Sequence, residues 1–159
     1  MNVRRLTPND REPLARMLAE IPAFRPDEVS CALELVDLAL EKPQQSDYFF
    51  LVAEQDGQLA GYICYGPTPM TEGTWDLYWI ASSEAARGKG AGSALVLEME
   101  KELRGRGTRL VRIETSSLSE YGPARTFYAR HAYHQTAVIE AFYRDGDDLV
   151  TLTKRLDRT

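Results

Sequence analysis

Between Thr74 and Thr115 the chain runs through one strand, a glycine loop, a helix and a second strand. Hairpin signals stand on either side of this unit. The stretch TWDLYWIA, residues 74–81, is aromatic and alternating, as strands are. RGKGAG follows at residues 87–92. A helix is expected from about Gly90 to Leu103, then a strand over Thr108–Thr115, rich in Val, Ile and Leu. A single crossover of this kind makes its two strands parallel, because the helix returns the chain to the same end of the sheet. The hairpins make the neighbouring strands antiparallel. Tyr48–Glu54 and Leu59–Tyr65 flank Asp56-Gly57, a pair suited to a two-residue turn. His134–Phe142 and Asp148–Leu156 flank a second turn at Arg144-Asp145-Gly146-Asp147. The chain is thereby restricted to an α/β (α+β) architecture. It has a mixed, mostly antiparallel sheet of about seven strands with helices on both faces.

The remaining segments complete the order β-α-α-β-β-β-α-β-α-β-β. Asn2–Leu6 reads as a short edge strand, and Thr7-Pro8-Asn9-Asp10 supplies capping oxygens before a helix around Pro13–Leu18. A second helix opens at Pro26-Asp27-Glu28. Its apolar positions Val29, Ala32, Leu33, Val36, Ala39 and Leu40 recur at helical spacing until Pro43 stops it. Ser116–Pro123 reads as a polar loop before a helix over about Ala124–His131. Strict alternation in the strand before RGKGAG puts Asp76, Tyr78 and Ile80 on one face and Trp75, Leu77 and Trp79 on the other. No repeat or linker divides residues 1–159, so one domain is expected.

Charge and composition narrow the function classes. A net charge of −5 over 159 residues, with no basic block, disfavours nucleic-acid binding. No apolar run approaches the roughly 20 residues needed to cross a bilayer, and MNVRRLTPND lacks the apolar stretch of an export signal. Cys31 and Cys64 lie in apolar segments and are expected to be buried free thiols in a reducing compartment. The two histidines, His131 and His134, have no metal-ligand company, so no metal is expected. A cytoplasmic protein without membrane or nucleic-acid partners is the expectation.

Three uses of RGKGAG compete. A Walker loop requires Gly-Lys followed by a hydroxyl residue to hold magnesium, whereas Gly88-Lys89 is followed by Gly90. A dinucleotide loop requires a third glycine where Ser93 stands, and it belongs to a sheet with repeated crossovers. A plain helix entry needs only one glycine, and each further one costs helix propensity of roughly 1 kcal/mol.

The motif resembles the pyrophosphate loop of the GNAT superfamily of acetyl-CoA-dependent N-acetyltransferases, Gln/Arg-x-x-Gly-x-Gly/Ala, with Arg87, Gly90 and Gly92 at the matching positions. Ala124-Arg125-Thr126-Phe127-Tyr128 followed by Ala132-Tyr133 resembles the family's second element, and the element order is similar over nearly the whole chain. Three residues depart from the family pattern. Ser82 replaces the usual Val, Tyr121 stands where many relatives have Asn, and Ala132 replaces a Gly at a point where a positive φ is wanted.

The resemblance implies a set of site residues. The backbone of Arg87, Gly88, Lys89, Gly90, Ala91 and Gly92 would cradle the pyrophosphate at a helix N-terminus, where N–H groups and the macrodipole favour an anion. Arg87 adds charge there, and Lys89 either does the same or is solvated. The strands on either side would splay, and the backbone of Ile80, Ala81 and Ser82 would pair with the pantetheine arm. Tyr128 would be the general acid that protonates the departing thiolate. Asp76 and Glu114 compete as the base, and Glu72 and Glu120 are candidates for orienting an ammonium. Trp75, Tyr78, Trp79, Phe142 and Tyr143 are candidates for an acceptor pocket or for core.

The expected activity is direct transfer of acetyl from acetyl-CoA to a primary amine of a small molecule or protein. The alternative is an idle acyl-CoA-binding sensor, which Ser82 and Ala132 keep open. Many relatives form homodimers, and nothing in the residues fixes the oligomeric state.

Overall fold

The computed structural model describes residues 1–158. Eleven main elements follow the expected order: β1 (Asn2–Arg5), α1 (Arg11–Ala19), α2 (Pro26–Glu41), β2 (Phe49–Gln55), β3 (Gln58–Pro67), β4 (Thr74–Ser82), α3 (Ala91–Gly105), β5 (Leu110–Ser116), α4 (Gly122–Arg130), β6 (His134–Arg144) and β7 (Asp147–Arg155). The strands form one seven-stranded sheet in the order β1-β2-β3-β4-β5-β7-β6. Among the described residues only β4 and β5 pair in parallel. The β2–β3 turn is the one that Asp-Gly chemistry calls for, with Asp56 and Gly57 both at positive φ. The expected loop at Ser116–Pro123 is largely replaced by a 3-10 turn over Ser119–Tyr121 that leads straight into α4. No described helix is long and apolar enough to cross a membrane.

Alternation along the central strands divides the interior into two layers. Leu51, Ala53, Ile63 and Tyr65 face α3, whose Leu95, Val96, Met99 and Leu103 fill that side together with Tyr128 of α4. Phe50, Val52, Tyr62 and Cys64 face the other way, onto Leu14 and Leu18 of α1 and Ala32 and Val36 of α2. Cys64 is buried as expected. Cys31 is not: it lies on the outward face of α2, one residue from the buried Ala32.

A β-bulge corrects the expected faces of β4. Cys64 pairs with Trp79, but the next residue, Tyr65, pairs with Leu77, so Tyr78 is an extra residue in the strand. Trp75 and Leu77 pack on the α3 side. Past the bulge Ile80 takes that side, and Trp79 and Ala81 turn to the α1–α2 side. Asp76, Tyr78 and Ile80 therefore do not share one face. A second irregularity lies in β6, where residues 140–143 stand opposite Asp148 alone. Ala141 holds φ 52° there, and its N–H donates to Asp148 Oδ1 at 2.9 Å.

Candidate functional site

The site begins where β4 and β5 part. They pair from Thr74–Leu110 to Leu77–Ile113 and no further. Beyond that point β4 continues against β3 as far as Ser82, and β5 continues against β7 as far as Ser116. Each strand keeps a ladder on its outer flank, so the two inner flanks face each other across a gap. A cleft of about 410 Å³ opens into that gap. Its walls are Tyr78, Trp79 and Ile80 of β4, Glu114–Ser116 of β5, and Ala124 and Tyr128 of α4. Its mouth is formed by Phe24, Arg25 and Glu28 around the start of α2, by Glu120 and Tyr121, and by Tyr143, Arg144 and Asp147 of the β6–β7 corner.

RGKGAG lies between β4 and α3. Gly88 at φ 78° and Gly90 at φ 89° take left-handed conformations, and Gly90 caps α3 with no side chain. The first N–H groups of a helix have no acceptor within it, so Ala91, Gly92 and Ser93 present theirs at the loop. A Cβ on Gly88 or Gly90 would meet nothing within 4 Å, whereas one on Gly92 would come within 3.1 Å of the Phe127 ring. Glycine at 92 therefore lets α4 pack on the start of α3. Ala91 is buried and offers the loop only its backbone. The exposed Arg87 and Lys89 make no ion pair among the described residues.

The candidate catalytic side chains are placed differently from one another. Tyr128 is 7% exposed, lines the cleft, and finds no hydrogen-bond partner for its hydroxyl among the described residues. Its ring packs edge-on against Tyr133. Burial pushes its phenol well above the usual range, so it stays protonated at neutral pH. Glu114 also lines the cleft, with its side chain 40% exposed and an ion pair to Arg112 at 3.3 Å.

Asp76 is not brought to the cleft. Its carboxylate accepts from Arg112 Nε at 2.6 Å and from the Thr68 hydroxyl at 2.6 Å, which commits both oxygens. Of the candidate pocket residues, Tyr78, Trp79 and Tyr143 line the cleft. Trp75 packs instead with Phe49 and Tyr65 beneath Arg106, and Phe142 faces solvent. Glu120 is at the mouth. Glu72 is remote from the cleft, and its carbonyl accepts from Arg109 Nε at 2.7 Å.

Several residues at the site carried no local signal. Tyr121 crosses from the α4 side to hydrogen-bond Ala23 and Glu28. Asp147, 2% exposed, accepts from the Ser116 hydroxyl and from Arg144, tying the end of β5 to the β6–β7 corner. Arg125 Nη1 donates to the carbonyls of Ser116 and Leu118, which anchors α4 to the same strand end. These are contacts between segments far apart in the chain. The departure of Tyr121 from the Asn of relatives was the one hint in the sequence.

The model of the acetyltransferase (GNAT) family matches residues 16–133. The chain belongs to the GNAT acetyltransferase family. It is 28% identical over 109 residues to an uncharacterised N-acetyltransferase of Methanocaldococcus jannaschii, which covers 67% of this chain and 65% of that relative. The match thus spans a little under two thirds of the relative's length. A solved structure from Desulfovibrio desulfuricans, assigned to the GNAT family, is 41% identical over 98% of both chains, with a TM-score of 0.93. An aminoglycoside 6'-N-acetyltransferase solved with coenzyme A has a TM-score of 0.77 over 100% of this chain and 99% of its own. At 16% identity that likeness speaks for the fold alone. Enzymes of the GNAT family use acetyl-CoA and act on amine acceptors.

Proposed function

We propose that this GNAT domain transfers acetyl from acetyl-CoA to a primary amine by direct attack in a ternary complex. The observation that carries the reading is Tyr128, a residue only 7% exposed, on the wall of a cleft that opens where β4 and β5 separate. The surroundings suit acetyl-CoA. Two left-handed glycines leave open space before the N-terminus of α3, where unpaired N–H groups favour a diphosphate. The inner flank of Ile80, Ala81 and Ser82 lacks a strand partner and suits the amides of a pantetheine arm. Arg87 and Lys89 supply positive charge beside the loop.

The chain's own groups then answer the two proton problems. An alkylammonium is neutral in roughly one molecule in a few thousand at pH 7. Glu114 draws the ammonium into the cleft and takes one proton from it; the neutral nitrogen then attacks the thioester carbonyl, and its second proton passes to solvent as the tetrahedral adduct collapses. Tyr128, held neutral by burial, gives its proton to the departing sulfur. Asp76 takes the part of a structural ion-pair partner for Arg112 and not that of the base. The acceptor is a small amine, in keeping with the size of the cleft.

Thiol release from acetyl-CoA over a panel of amines tests the reading. Amine-dependent release that falls by about 10²–10⁴ in Tyr128→Phe is the expected result, the usual range for loss of a general acid. Unchanged turnover in that variant refutes the acid role. A thermal shift with acetyl-CoA but no release with any amine points to the idle binding module instead.

A further inference from the structure

Tyr121 is the only residue of the α4 side that hydrogen-bonds across the cleft mouth among the described residues. Its hydroxyl lies 3.0 Å from Glu28 Oε2 and 3.2 Å from the Ala23 carbonyl, and one proton serves these two acceptors in turn. A phenol on a carboxylate is a charge-assisted bond, stronger than a neutral one. The far side is itself braced. Glu28 Oε1 accepts from the Arg25 N–H at 3.4 Å, and Phe24 meets Trp79 edge-on at 5.6 Å between ring centres. Ala23, Glu28 and Tyr121 all line the cleft that holds Tyr128 and Glu114.

We infer that the tie from Tyr121 to Glu28 and Ala23 is a clasp that sets the width of the acceptor entrance. It admits slender primary amines on an unbranched methylene and disfavours amines branched at the α-carbon, such as those of amino acids and peptides. The inference rests on the acetyltransferase reading. At about 410 Å³ the cleft is near the small end of ligand sites, about 300–1,000 Å³, and it must also take the reacting end of the thioester arm. A second observation agrees. The cationic residues in the lining are Arg25 and Arg144, and both are already paired, Arg25 with Asp27 and Glu28 and Arg144 with Asp147. Each of these two guanidiniums thus already faces a carboxylate, while Glu114 and Glu120 favour an ammonium.

The test compares n-butylamine with sec-butylamine, in thiol release, for the natural protein, Tyr121→Phe and Glu28→Ala. One misplaced carbon in a pocket is worth about 10–200-fold. The natural protein is expected to favour the straight amine by about tenfold or more in kcat/KM, and both variants to cut that ratio by at least about threefold. Equal rates on the two amines in the natural protein, or an unchanged ratio in Tyr121→Phe, overturns the clasp. A second readout needs no turnover. Acrylamide quenching of Trp79 is expected to rise about twofold in Tyr121→Phe, because Phe24 is released from that ring, while the buried Trp75 gives a constant background. Were no amine to release thiol, the acetyltransferase reading would fall, and the quenching would still decide the clasp: an unchanged slope refutes it.

Discussion

Replacing Ala132 by glycine should stabilise the protein. The end of α4 is a Schellman closure. The Tyr133 N–H donates to the Tyr128 carbonyl at 3.0 Å and the Ala132 N–H to the Ala129 carbonyl at 3.0 Å, with Ala132 at φ 65° between them. A left-handed alanine costs roughly 1–2 kcal/mol. Glycine removes that cost but gives back roughly 0.5–1 kcal/mol in chain entropy. The net gain is about 0–1.5 kcal/mol, which for a chain of this size raises Tm by up to about 6 °C. Scanning calorimetry of Ala132→Gly beside the natural protein measures it, and Ala132→Val should move the other way. A lower Tm in the glycine variant would refute the argument, because nothing else in the closure changes. The same closure fixes the carbonyl of Tyr128, so a tighter helix end leaves the hydroxyl where it is.

Leu95, fully buried beneath the sheet on α3, should cost about 2–5 kcal/mol when cut to alanine, read from urea unfolding. Gly90→Ala meets no neighbour but forces a side chain to φ 89°; about 1–2 kcal/mol of stability should go, and the Tm rise with acetyl-CoA should shrink with it. Part of the acid sensitivity should come from Asp10. Burial alone raises its pKa, and the bonds from Arg4 at 2.8 and 2.9 Å and from the Thr7 N–H at 2.8 Å more than reverse this, so the folded value lies below the ordinary 3.8. Its contribution is complete above the unfolded pKa and disappears as pH falls through the folded one. Between pH 5 and pH 2, Tm of the natural protein should therefore fall more steeply than that of Asp10→Asn.

Features set by neighbouring residues were legible in the chain, and features set by distant pairing were not. Asp56-Gly57 dictated its own turn, the lone crossover dictated one parallel pair, and the left-handed position at Ala132 could be named in advance. The bulge at Tyr78 depends on how β3 registers with β4, which no property of TWDLYWIA alone reveals. Asp76 looked like a base because Arg112, its partner, arrives only when β5 is laid beside β4. The mouth of the cleft draws on Phe24, Tyr121 and Tyr143, three segments with no common spacing. Cys31 lies off the stripe of Val29, Ala32, Leu33 and Val36, so the spacing of α2, and not the apolar composition of its segment, places this thiol at the surface.

The parting of the strands also has a mechanical side. Among the described residues, the β1–β4 half of the sheet and the β5–β7 half pair only over the ladder from Thr74–Leu110 to Leu77–Ile113, so any bending between them would fall on that short seam. Beyond it the halves are coupled chiefly through the apolar layer under α3 and α4. A guest that carries its own N–H and C=O groups into the gap would lengthen the seam from one end. It would stiffen the two halves against each other without moving either one.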